Sequence, residues 1–204
     1  MIIGVDFDNT LVTYDEVMYR VALERSLIHA AVPKNKKDIR DMIRLLPDGE
    51  DAWTKLQAEV YGPRMAEAQL VPGVVEFFDL CRRNRITTFI ISHKTEYAKF
   101  DNTGTNLRLA ALEWMREHEF FDLKGINLNI HDVYFGATRA EKIRCIIDLG
   151  CTHFIDDLEE VFLDESFPPA VEKILFAPTT QNIQGDDYFV FQDWREICEH
   201  IFTK

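Results

Sequence analysis

The chain opens on an apolar run, Ile2-Ile3-Gly4-Val5, that stops at Asp6. A short continuous apolar run followed by polar residues predicts a buried strand. The pattern then changes. Between residues 15 and 71, apolar positions recur at helical spacing: Leu23, Leu27 and Ala30 in one segment, Ile39, Met42, Ile43 and Leu46 in another. Pro33, Pro47-Asp48-Gly49 and Gly62-Pro63 punctuate this region, which predicts three or four short helices with no sheet of their own. After Val71-Pro72-Gly73, strands and helices alternate. Val74, Phe77, Phe78 and Cys81 share one helical face, with Pro72 near its start. A β-branched run from Arg85 to Ile91 predicts a strand ending at Ser92. Leu107, Ala110, Ala111 and Trp114 mark the next helix, and residues 129–135 the next strand. Residues 141–149 predict a helix with Ile143, Ile146 and Ile147 inward and Gly150 just past its end. Further strands are expected at 152–155, 173–176 and 188–190, a surface loop at 177–187, and a last helix to Phe202 capped by Asp193.

Strands alternating with helices imply a mostly parallel sheet with right-handed crossovers. The fold class expected is α/β: a Rossmann-like, three-layer parallel sheet core with a small all-α insertion. The core would comprise residues 1–14 and 72–204, and the insertion residues 15–71. At 204 residues, the chain suits one such domain with an insert.

Composition narrows the function. The formal net charge of −12 disfavours a nucleic acid polymer or an anionic membrane surface as partner. It leaves small anionic substrates open, because a bound metal reverses the local sign. No apolar run is long enough to span a membrane, and no basic-then-apolar leader precedes the first strand. Cys81, Cys145, Cys151 and Cys198 form no C-x-x-C and read as reduced buried thiols, which fits a cytoplasmic location.

The candidate chemistry sits at the strand ends. Asp6 and Asp8 are two apart on an extended segment, so both point to the same side at a strand tip. Two close carboxylates repel unless a cation or proton lies between them. Another strand ends in Ser92, and a third in Asp156-Asp157; Lys142 opens the helix before that third strand. In a parallel sheet these tips share one edge. Such a set suits phosphoryl transfer. Carboxylates hold a hard divalent cation such as Mg²⁺ beside a phosphate, one carboxylate acts as nucleophile, and a hydroxyl and an ammonium neutralise the phosphoryl oxygens.

With these residues in place, the sequence resembles the haloacid dehalogenase-like (HAD) hydrolase superfamily from end to end. Asp6-Phe7-Asp8-Asn9-Thr10 matches its first motif, Ile90-Ile91-Ser92 its second, Lys142 its third and Phe154-Ile155-Asp156-Asp157 its fourth. The resemblance implies Asp6 as nucleophile and magnesium ligand. It implies Asp8 as general acid and then base, with its backbone carbonyl on the metal. Thr10 would orient the loop, Ser92 and Lys142 would hold phosphoryl oxygens, and Asp156 and Asp157 would complete the metal shell. Residues 15–71 would be the family's helical cap. Dehalogenases of the superfamily generally lack the acid at position 8, because a halide leaves without a proton. An alkoxide needs one, so Asp8 favours phosphate esters. The expectation is a magnesium-dependent phosphatase of a small phosphorylated metabolite, working as a monomer or homodimer.

Alternatives stand beside each residue. Ser92 alone reads as a helix cap, and Lys142 alone as a solvated first-turn residue. His93 stands where the family often has Asn, and reads equally as a substrate contact or as a loop histidine bonded to backbone. Arg139 or Lys94 competes with Lys142 for the cationic role. A phosphotransferase or mutase would use the same scaffold, and a catalytically silent phospho-ligand-binding member would keep its motifs. A phospho-receiver domain also clusters Asp, Ser/Thr and Lys, but its phosphorylated Asp follows the third strand and it has no long helical insert.

Overall fold

A computed structural model describes residues 1–101, 103–178 and 187–203. Strand β1 (Ile2–Val5) runs into the Asp6–Leu11 loop and a two-residue strand β2 (Val12–Thr13). Helix α1 (Asp15–Glu24) follows. It stops short of the stripe through Leu27 and Ala30 because Ser26 takes a left-handed conformation, φ 55°. The Leu27 amide bonds back to the Ala22 carbonyl and the Ser26 amide to that of Leu23, which is the helix-ending arrangement usually built on glycine. Helix α2 (Lys36–Arg44) starts at Asn35, whose side chain accepts from the Asp38 amide. Helix α3 (Gly49–Tyr61), a 3₁₀ turn at Met65–Glu67 and strand β3 (Gln69–Leu70) complete this stretch. The short strands β2 and β3 pair with each other, a small piece of sheet that the helical periodicity did not predict.

From Gly73 the alternation takes over: α4 (Val74–Arg83), β4 (Thr87–His93), α5 (Leu107–Glu117), β5 (Val133–Gly136), α6 (Arg139–Asp148), β6 (His153–Asp156), α7 (Glu159–Phe162), β7 (Glu172–Phe176), β8 (Phe189–Phe191) and α8 (Trp194–Phe202). Two expectations change. The strand expected over 129–135 begins only at Val133, because Ile130–Asp132 is a 3₁₀ turn whose His131 amide is held by the Asn129 side chain. Ile147 is 50% exposed, so the inward stripe of α6 consists of Ile143 and Ile146. The loop expected at 177–187 lies largely outside the described residues.

The chain forms two compact units. One holds Met1–Val12, Leu70–Lys94 and His118–Lys204; the other holds Thr13–Gln69 and Thr95–Glu117. Residues 95–117, with α5, were expected in the core domain from sequence. They group instead with the helical segment, where the Trp114 indole N–H donates to the Ala68 carbonyl at 2.9 Å.

In the first unit, among the described residues, six strands make one parallel sheet in the order β5-β4-β1-β6-β7-β8. Alternation sends Leu175 and Phe176 to opposite faces. Leu175, Phe154 and Ile91 join Ile143 and Ile146 of α6 and Val161 and Phe162 of α7 in one core. Phe176 meets Trp194, which packs on Phe77, with α4 and α8 side by side on that face. The order runs from β1 through β4 to β5, then restarts across β1 at β6. Open α/β sheets bind ligands at such a switch point, outside the carboxyl ends of the strands.

Candidate active site

Asp6 and Asp156 lie on either side of that switch point. β1 is bonded to β6 with Val5 opposite Ile155, and the Asp6 amide donates to the Ile155 carbonyl at 2.8 Å. On the other flank Val5 faces Ile90 of β4, which brings Ser92 to the same edge. After Asp6 the chain turns sharply: the amides of Thr10, Leu11 and Val12 all reach the Phe7 carbonyl, and Asn9 is left-handed with φ 62°. The Trp194 indole N–H donates to the Thr10 carbonyl at 3.1 Å, which ties this turn to the last helix.

Lys142 is 1% exposed, and its ammonium lies 2.6 Å from Asp6 Oδ1 and 2.6 Å from Asp156 Oδ2. A buried charge needs such partners. The other Asp156 oxygen accepts from the Leu158 amide at 3.1 Å. Burial pushes the Asp6 carboxyl up to about 7; Lys142 pulls it down, and Asp156 and Asp8 add to the rise. For Lys142, burial lowers the ammonium pKa, but Asp156 and Asp6 together outweigh that and hold it above its usual value.

Oxygens of Asp6, Asp156 and Asp157 lie within 4.8 Å of one another. An all-oxygen carboxylate set of this kind fits a hard divalent cation. Among the described residues, the Thr10 and Ser92 hydroxyl oxygens are buried with no hydrogen-bond partner. Buried polar groups are ordinarily satisfied, so two such hydroxyls at the carboxylate edge fit an anion with several oxygens.

The remaining candidates separate. Asp8 is not part of that three-carboxylate group, and both its oxygens face the Lys94 ammonium, at 3.0 and 2.9 Å. Any share it takes in a cation site falls to its backbone carbonyl. His93 is exposed, with Nε2 3.1 Å from the Ala137 carbonyl; that nitrogen carries the proton, since a carbonyl only accepts. Arg139 is exposed, and its charge acts on Asp164. Of the three competing cations, Lys142 is the one placed on Asp6. Sequence reasoning missed the Lys94–Asp8 pair, although Ser92 and Lys94 are two apart at a strand end and share a side. It also missed Trp194, for which spacing carries no signal.

No family model matches the sequence, and the comparison with curated proteins gave no match. Solved structures do match. A HAD-superfamily hydrolase from Ehrlichia chaffeensis aligns at TM-score 0.55 and 15% identity, over 99% of this chain and 96% of its own. A predicted phosphoglycolate phosphatase from Haemophilus somnus aligns at 0.55 and 13%, over 98% and 96%. A HAD hydrolase from Bacillus subtilis, bound to magnesium, aligns at 0.51 and 9%, over 98% and 97%. The chain therefore has the fold of the HAD-superfamily hydrolases.

Proposed function

We propose that this protein is a magnesium-dependent phosphatase of a small phosphorylated metabolite, acting through an aspartyl-phosphate on Asp6. The observation that carries the reading is the buried group in which Lys142 bridges Asp6 and Asp156 at 2.6 Å each. It gathers a carboxylate nucleophile, a fixed cation and metal-type oxygens at one point. The phosphatase named among the structural neighbours and the neighbour bound to magnesium support it.

In the first step an Asp6 oxygen attacks phosphorus. The ester P–O bond breaks, its electron pair leaves with the alkoxide oxygen, and Asp8 gives that oxygen a proton. In the second step Asp8, now a carboxylate, takes a proton from water, whose oxygen attacks the phosphorus and frees Asp6 and phosphate. Lys142 and the Thr10 and Ser92 hydroxyls hold the phosphoryl oxygens as charge gathers there. Magnesium, held by Asp6, Asp156, Asp157 and the Asp8 carbonyl, would supply charge neutralisation at the phosphoryl group. The helical segment 15–71 is read as the cap that selects the substrate.

Asp6→Asn tests this reading. Turnover of p-nitrophenyl phosphate with Mg²⁺ should fall below detection while circular dichroism stays that of the wild type. A phosphate adduct on Asp6 should be trapped by acid quench and located by peptide mass. Retained turnover in the variant would sink the assignment.

A further inference from the structure

Lys94, two residues past Ser92, has no part in the steps above. It is 4% exposed, and lysine is almost never so buried unless paired. Its ammonium meets both Asp8 oxygens at 3.0 and 2.9 Å. It also lies 5.6 Å from the centroid of the Phe7 ring, an attraction of a cation for an aromatic face. Its own amide donates to the Gly136 carbonyl at 2.8 Å, at the end of β5. The lysine is thus fixed at its backbone and at its head.

Asp8 sits differently. It lies on the turn after β1, next to left-handed Asn9, and its carboxylate is partly exposed. A carboxylate on a turn rotates about two side-chain bonds. Contact of both oxygens with one anchored cation removes that freedom, and fixed orientation is a large share of what a catalytic group supplies. Lys142 serves Asp6 and Asp156, and the Lys94 ammonium meets Asp8.

We infer that Lys94 is a positioning residue, which holds the Asp8 carboxyl in the orientation that reaches the leaving-group oxygen. The inference rests on Asp8 being the acid and base of the proposed phosphatase. It assigns Lys94 no contact with phosphate.

Leaving groups separate the possibilities. p-Nitrophenolate departs without a proton, whereas a glycerol alkoxide needs one. Single-turnover rates are measured for Lys94→Met on p-nitrophenyl phosphate and on β-glycerophosphate. Glycerol release should slow by about 100-fold, while first-turnover release of p-nitrophenolate stays within about 3-fold of the wild type. That release should end in a burst, because hydrolysis of the Asp6 adduct also uses Asp8. Asp8→Asn should show the same selectivity, and adding Lys94→Met to it should slow glycerol release no further. Lys94→Arg should recover part of the loss. Lys94→Gln, which keeps a hydrogen bond without charge, gives the same reading if the Met variant does not fold. Equal slowing of both esters, or losses that add in the double variant, overturns the role of Lys94 and leaves the phosphatase reading standing. A wild-type protein that turns over neither ester overturns both.

Discussion

At Asp6 burial and an ion pair oppose each other, and the balance has a measurable consequence. Burial raises this carboxyl to about 7 against the pull of Lys142. On the proposed reading, a raised Asp6 pKa sets a proton and Mg²⁺ in competition for that carboxylate. Apparent Mg²⁺ affinity should therefore rise by about tenfold per pH unit from pH 5 to 7, with one proton released per ion, and level off above. Calorimetric titrations at pH 5.5, 6.5 and 8 measure it, and a flat profile would contradict the metal role proposed for Asp6. Lys142→Met leaves the Asp6 and Asp156 carboxylates buried together without a cation. Breaking a buried pair from one side is expected to cost about 3 kcal/mol in urea unfolding with EDTA. Added Mg²⁺ should restore part of that stability but not turnover. The strand-end acids were legible in sequence because a parallel sheet brings its tips together. The grip of Lys94 on Asp8 was not, because it depends on which rotamers two side chains choose.

Among the elements, the long periodic segments were legible and their ends were not. α4 buries Val74, Phe77, Phe78 and Cys81 as its stripe predicts, and Asp193 caps α8 through the Glu196 amide at 2.9 Å. α1 ended early through left-handed Ser26, a backbone choice that apolar spacing does not encode. Gly73 shows how tightly one joint is built. Its φ is +91°, and a Cβ there would lie 2.7 Å from Trp194 Cβ. Gly150 also has positive φ, +64°, but a Cβ would meet nothing within 4 Å. Gly150→Ala should cost about 1 kcal/mol in chemical denaturation, the backbone penalty alone. Gly73→Ala should cost more than about 2 kcal/mol, since overpacking adds to it, and Trp194 fluorescence should report the shift. Equal costs would mean that the Trp194 contact yields freely.

For the molecule as a whole, the thiols offer a gauge of opening. All four cysteines are free among the described residues. Burial pushes Cys81 up to about 12 and Cys151 and Cys198 up to about 11. Since the thiolate is the reactive form, iodoacetamide at pH 8 should label Cys81 only as fast as the fold opens, and Cys145 sooner. Denaturant should expose all four. Rapid labelling of Cys81 in the native protein would contradict its burial. No helix among the described residues is long and apolar enough to cross a membrane. The α/β class was legible because strand–helix alternation leaves few topologies. The grouping of residues 95–117 with the helical unit was not, because contacts such as Trp114 to Ala68 join segments 46 residues apart.

The place of β1 in the sheet has a consequence for synthesis. It is the earliest made of the six strands, yet its hydrogen-bonding partners are β4 and β6, and Asp6 meets Lys142 only 136 residues later. On the ribosome this apolar ribbon waits unpaired while the helices of the second unit are made. Long-range pairing of this kind folds slowly and leaves strand edges open to misassembly. Chaperone dependence during translation should therefore trace to residues 2–5, the same few that lead into Asp6.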